Sequence, residues 1–303
     1  AEALRAGVAS TRSKILAPPT KVSFVTPPVL TDLGPRPAPN SPAVVEFSQQ
    51  LRYQIQLMFL WWLDEMVTSP HTLQEKMTWF WHGHWATSID KVDYALPMFN
   101  QNVTMRKYAL GNFTEFAKAM FSDGALQVWL DGQENTVKAP NENFSREMME
   151  LFVLGVNRYT ETDVKELARA FTGYQVPRST GVITYNARRR DTSPVTVLGK
   201  TGVMSPEEVI THLVSQSNCA LFIAERIWYR FVSSQEPLPQ NHPMIKAFAD
   251  RDTYALMKSL IESSALSQQQ YSMVKSPVEW FIGLCRALSI TPSKLPSPTK
   301  LYG

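Results

Sequence analysis

Residues 140 to 173 read P-N-E-N-F-S-R-E-M-M-E-L-F-V-L-G-V-N-R-Y-T-E-T-D-V-K-E-L-A-R-A-F-T-G, two helical patterns in which acids alternate with large apolar side chains. A carboxylate beside Phe144, Met148, Leu151 and Phe152 is costly to bury unless it is paired, hydrogen-bonded or bound to a cation. The segment therefore demands a partner group, and a fold open to this chain has to bring one. At 3.6 residues per turn, Asn143, Glu147, Glu150 and Leu154 form one stripe. Phe144, Met148, Leu151 and Phe152 form another, which faces a core.

Two readings follow. In the first, the polar groups are structural: Arg146 reaches Glu150 four residues on, and Glu142 and Asn143 serve a helix N-terminus through capping and the dipole. Asn141, Asp163 and Asp191 join that network, with Thr160-x-x-Asp163 resembling a capping box. In the second reading, Glu147 and Glu150 are catalytic carboxylates.

Two of the five histidines lie in W-F-W-H-G-H-W, residues 79–85. On an extended backbone His82 and His84 point the same way and chelate one ion. On a helix they stand about 200° apart and do not. Gly83 between them permits the non-helical backbone and is a plausible helix stop. Two histidines and one carboxylate (Glu147, Glu150 or Glu75) make a zinc or non-haem iron set with open positions. The bland reading is a pair of packed or hydrogen-bonded structural histidines. Trp61, Trp62, Trp79, Trp81 and Trp85, five of the eight tryptophans, crowd the same stretch. They read as core, although an exposed pair would make a stacking platform for a sugar ring.

The rest of the chain is organised by proline. Residues 1–42 hold eight of the 21 prolines and no sustained apolar period, so they read as an extended arm or leader. Val22, Phe24, Val25, Val29 and Leu30 give that arm something to adhere with. From Val44 onward, through residue 303, apolar residues recur at helical spacing. Helices are expected near 98–108, 112–122, 143–154, 161–172, 206–215, 217–232, 242–250, 253–264 and 277–288. The exception is about 174–202, where Val182–Tyr185 and Val195–Leu198 read as a small inserted hairpin. The expected fold is mainly α, one helical domain with a β excursion.

Bulk properties exclude several functions. A net charge of +3 gives no footprint for nucleic acid, and Arg188-Arg189-Arg190 is cut short by Asp191. No apolar run reaches the length of a membrane span. Cys219 and Cys285 read as buried thiols or, in an exported chain, one disulfide. There is no G-x-S-x-G elbow, Walker loop or dinucleotide fingerprint.

Several blocks resemble one bacterial family, domain of unknown function 1800 (DUF1800). They are E-K-M-T-W-F-W-H-G-H-W-A-T-S (75–88), M-R-K-Y-A-L-G-N-F (105–113), residues 140–155 and 159–174 above, D-T-S-P-V-T-V-L-G-K-T-G (191–202) and V-K-S-P-V-E-W (274–280). The family pattern His-Asp-x-Gly is here Arg190-Asp191-Thr192-Ser193, so a site needing that histidine fails in this chain. The resemblance implies the central core of a longer precursor, exported to the periplasm or cell surface, with a sulfatase-like partner protein. It transfers no catalytic residues. The expected function is a metal-dependent hydrolase acting on a glycan or related polymer at the cell envelope. Its alternative is a non-catalytic scaffold or a glycan- or protein-binding module.

Overall fold

The computed structural model describes residues 7–21, 23–268 and 273–295. It is a mainly helical body. In chain order the helices are α1 (Val8–Ile15), α2 (Ala43–Thr68), α3 (Thr72–His84), α4 (Ile89–Val92), α5 (Ala95–Tyr108), α6 (Phe113–Phe121), α7 (Gly124–Trp129) and α8 (Asn143–Glu147). A π-helical segment, Met148–Val153, continues α8. Then come α9 (Glu161–Ala170), α10 (Pro206–Ser215), α11 (Ser217–Phe231), α12 (Pro243–Ala247), α13 (Thr253–Glu262), α14 (Ala265–Gln268) and α15 (Pro277–Leu288). Among the described residues, no helix is long and apolar enough to cross a membrane.

Helix starts follow local chemistry. Complete capping boxes open α9 (Thr160 with Asp163), α10 (Ser205 with Glu208) and α15 (Ser276 with Glu279). One large core runs from Leu16 and α3 through α6, the π segment, α9, α10, α11 and α13. Trp81, Trp85, Phe113, Phe116 and Phe248 are among its fully buried side chains.

The β excursion is two separate hairpins. β1 (Tyr174–Gln175) pairs antiparallel with β2 (Thr184–Tyr185), and β3 (Val195–Val197) with β4 (Lys200–Gly202). The two β-branched runs expected to pair with each other thus take different partners. Short turns decide this: Leu198 and Gly199, both at positive φ, return β3 at once onto β4. The connection from β1 to β2 is fixed against α7 at one point, where a Cβ on Gly124 would lie 2.1 Å from the Gly181 carbonyl oxygen.

The proline-rich arm carries the short helix α1, which was not expected there, and the residues after it run along α2. Glu65, fully buried in α2, accepts from the Ser23 hydroxyl (2.9 Å), Phe24 N (2.7 Å) and Val25 N (2.8 Å). Trp61 Nε1 donates to Val25 O, and Tyr94 Oη to Gly34 O. The arm is therefore held by polar anchors as well as the apolar contacts of Leu30 and Leu33; Val29 is exposed, and Val22 lies outside the described residues.

Candidate functional site

Helix α3 runs unbroken to His84, through Gly83. The expectation of an extended His82-Gly83-His84 chelate is corrected here: helical geometry sends the two rings to different places. His82 meets Trp62 edge-on at 4.9 Å and stacks on Trp79 at 6.1 Å. His84 lies in the core among Phe80, Trp81, Trp85 and Phe113, where its Nε2–H donates to Phe152 O at 2.9 Å. Burial depresses both basicities, His82 to about 4 and His84 to about 3, so both rings are neutral near pH 7.

The π segment explains that bond. Leu154 N and Gly155 N both donate to Met149 O, the first in the i→i−5 pattern, and the chain then leaves the helix at Gly155. Gly155 has φ 89°, and a Cβ there would lie 2.8 Å from the Phe222 ring. The Phe152 carbonyl at this terminus takes its hydrogen bond from His84.

The same segment re-phases its side chains. Leu151, expected in the core, is 48% exposed, whereas Met148 and Met149 are both fully buried. The wider π turn rotates the residues after Met149 away from the α-helical phase.

Around this helix the polar groups are mutually satisfied, with a changed partner list. Arg146 pairs with Glu142 (3.0 Å) and, through both terminal nitrogens, with Glu161 (2.7 and 2.8 Å) rather than with Glu150. Glu150 instead accepts from the Tyr159 hydroxyl. Glu147 makes no side-chain hydrogen bond among the described residues, and partial burial followed by repulsion from Glu150 raises its pKa. Asn141 and Asn143 donate to the carbonyls of Asp131 and Leu130, and Asp163 caps α9 while accepting from Leu198 N. Asp191 accepts from Arg169. Arg190 donates to the carbonyls of Ala170, Thr172 and Met204.

The third carboxylate considered for an ion, Glu75, is occupied too. Arg106 binds it through Nε (2.8 Å) and a terminal nitrogen (3.0 Å), and both residues are buried. Among the described residues, no three His, Cys, Asp or Glu side chains are grouped to hold one metal ion.

What the structure does assemble is a cavity of about 450 Å³ between α3, α13 and α15. Its walls are mostly apolar, with Trp79, Phe231, Leu260 and Ile282 among them. Lys76, Lys275 and Arg286 are its cations, and Glu75 and Glu279 are its acids. Lys76 meets Glu279, and Arg286 donates to the carbonyls of Met66 (2.6 Å) and Ser69 (2.9 Å). Lys275 has no ion-pair partner among the described residues. Burial, then the charges of Arg230 and Lys275, lower the Lys76 pKa to about 8. No local signal announces this cavity, because its residues are spread from Ile15 to Arg286. Cys219 and Cys285 are buried free thiols, and burial raises the Cys219 pKa to about 12.

A mainly helical body with two small hairpins and a ligand-sized apolar cavity is thus the class of molecule at hand. The profile of the family described as Protein of unknown function (DUF1800) matches residues 6–302, and the chain belongs to that family. No curated protein and no solved structure matches it.

Proposed function

We propose that this chain is a binding module for an amphiphile, an apolar body with an anionic group. The observation that carries this reading is the cavity of about 450 Å³, within the roughly 300–1,000 Å³ of small-molecule sites. Its apolar walls suit a hydrocarbon, and its cations exceed its acids. Glu279 offsets Lys76, and Glu75 is shared between Arg106 and Arg286, which leaves Lys275 with no ion-pair carboxylate among the described residues. Burial, and after it the charges of Arg230 and Lys275, hold the Lys76 pKa down, and an anion between Lys76 and Lys275 would offset the repulsive part. The setting we propose is extracytoplasmic, which rests on the family resemblance alone.

The metal-dependent hydrolase is not the reading we adopt, because His82 and His84 diverge and Glu75 is held by Arg106. Binding of dodecanoate, dodecanol and dodecyltrimethylammonium, followed by Trp79 fluorescence and calorimetry, tests the proposal. Dodecanoate should bind tightest, and Lys275→Met should weaken it selectively. Gly283 lines the cavity, and a Cβ there meets nothing closer than Lys275 Nζ at 3.9 Å. Gly283→Leu should therefore fold and exclude the chain. Equal binding of the cationic amphiphile, or an unaffected Gly283→Leu, overturns the proposal.

A further inference from the structure

Helix α15 turns its charges inward. Val278, Glu279, Ile282, Gly283 and Arg286 share the side of the helix that lines the amphiphile cavity. Glu279 and Arg286 are the only charged residues of the helix, and both are engaged on that side. Glu279 meets Lys76, and Arg286 donates to the carbonyls of Met66 and Ser69. The opposite side presents Trp280, Leu284 and Leu288, spaced i, i+4, i+8 and 61%, 39% and 60% exposed. A helix against water normally has the reverse arrangement, with charge outward and the apolar stripe inward. Scattered exposed apolar residues need no explanation, but a Trp-Leu-Leu stripe on a side without a charge does.

The helix behind it continues the pattern. α15 packs against α2, where the only charged residues between Tyr53 and Thr68 are Asp64 and Glu65. Both are buried: Asp64 accepts from Ser293 N, and Glu65 from the arm. Charge stands instead at the two ends of the α15 stripe. Lys275 precedes the helix and Lys294 follows it, both exposed and neither with an ion-pair partner among the described residues. The Lys275 ammonium lies 3.9 Å from the place a Cβ on Gly283 would take. Gly283 is one turn on from Trp280, so that cation sits at the edge of the stripe.

Charge complementarity selects what covers this face. Hydrocarbon suits the leucines, an indole is at home at headgroup depth, and free ammonium groups at both ends suit lipid phosphates. A second copy docked stripe to stripe would set lysine against lysine in either helix direction, with no acid on the face to relieve them.

We propose that the outer side of α15 docks this protein on an anionic membrane surface, with Trp280, Leu284 and Leu288 in the interface and Lys275 and Lys294 on phosphates. The helix then has bilayer on one side and the cavity on the other, and the membrane supplies the amphiphile. That last step rests on the amphiphile reading; the docking does not.

The test is flotation of the purified protein with unilamellar vesicles of phosphatidylglycerol and phosphatidylcholine in equal parts, against vesicles of phosphatidylcholine alone. The protein should float with the anionic vesicles, at least about tenfold less well with the neutral ones, and be released by salt. Lys294→Gln should weaken binding about fivefold, the worth of one lysine near an anionic surface. Trp280→Ser combined with Leu288→Ser should keep the melting temperature, because both side chains are exposed, and lose at least about tenfold in binding. Trp280→Phe should still dock but lose part of the quenching of tryptophan emission by lipids brominated in their acyl chains.

Three results overturn the proposal. One is protein that stays out of the vesicle fraction. Another is equal binding by the Trp280/Leu288 double variant, which would make adhesion a matter of net charge. The third is a dimer, abolished by the double variant, with no vesicle binding in either protein, which would give the face to a second copy. Gly283→Leu fills the cavity and leaves the outer side intact, so it should still float. Dodecanoate binding without flotation sinks the docking alone, and flotation without dodecanoate binding sinks the amphiphile reading alone.

Discussion

The helix end at residues 79–85 and the helix at 140–173 pose the same sequence problem, polar groups set among aromatic and aliphatic ones, and the fold solves them in opposite ways. In the first region a single side chain, His84, is carried into the core neutral and given a backbone carbonyl. In the second, the charges stay at the surface and pair with one another: Arg146 with Glu142 and Glu161, Arg169 with Glu166 and Asp191. Position decides the energetics. A buried hydrogen-bonded group is expensive to remove, whereas an exposed ion pair is worth about 0–1 kcal/mol. The two regions also meet, since the carbonyl that His84 satisfies belongs to the π segment of the second.

The largest break in this contrast is His84→Ala. It empties a ring-sized volume among Phe80, Trp81, Trp85 and Phe113 and strands the Phe152 carbonyl. By comparison with buried aromatic truncations, the cost should be about 3–5 kcal/mol in urea unfolding. A loss under 1 kcal/mol would mean the carbonyl has another partner. His82→Ala should cost much less, because His82 is only partly buried and has no hydrogen bond to lose.

Acidity probes the same pair without mutation. The folded pKa of His84 lies near 3 and that of His82 near 4, below the ordinary histidine value of 6.5. Between those limits the unfolded chain binds more protons, so stability rises with pH there and is lost as pH falls from about 6.5 toward 3. The buried Asp123, whose pKa burial raises to about 7, acts in the other sense: the folded state holds its proton between about 4 and 7. The histidines should dominate below pH 5, giving a loss on the order of a few kcal/mol. Comparison with His84→Phe, which cannot protonate, should show a flatter acid limb. Parallel curves would refute the neutral buried histidine.

Next in size is a test of helix phase. Met149→Gln places an amide in a fully buried position and should cost about 2–4 kcal/mol, while Leu151→Gln, at 48% exposure, should stay within about 0.5 kcal/mol. The α-helical phase read from Phe144 forecasts a buried Leu151. Equal costs would remove the π segment from the account.

That forecast marks where the sequence stops being legible. Apolar period, proline position and capping residues are local signals, and they located α10, α11, α13 and α15 and the box at Thr160–Asp163. Three features needed information from elsewhere in the chain. The π segment depends on Gly155 yielding to Phe222; the hairpin partners depend on turn geometry at Leu198 and Gly199; the cavity is assembled from α1 to α15. The histidines failed as a chelate for a related reason. Gly83 permits an extended backbone but does not impose one, and the core demand of Trp81 and His84 keeps α3 helical to its end.

A small effect is also expected at Arg146, and it tests the comparison from its weaker side. Arg146 bridges Glu142 and Glu161, yet the Arg146 side chain is 33% exposed and Glu161 68% exposed. Arg146→Met keeps the stem and removes the charge, so it isolates the ion pairs from packing. The loss should be under about 1 kcal/mol and should shrink further in 0.5 M salt, where the screening length falls to about 4 Å. A loss above 3 kcal/mol that ignored salt would place Arg146 in the same category as His84, with a buried partner that its surface geometry does not supply. The surface acids of 140–173 would then be a core network after all, and the contrast drawn between the two regions would fail at the residue chosen to illustrate it.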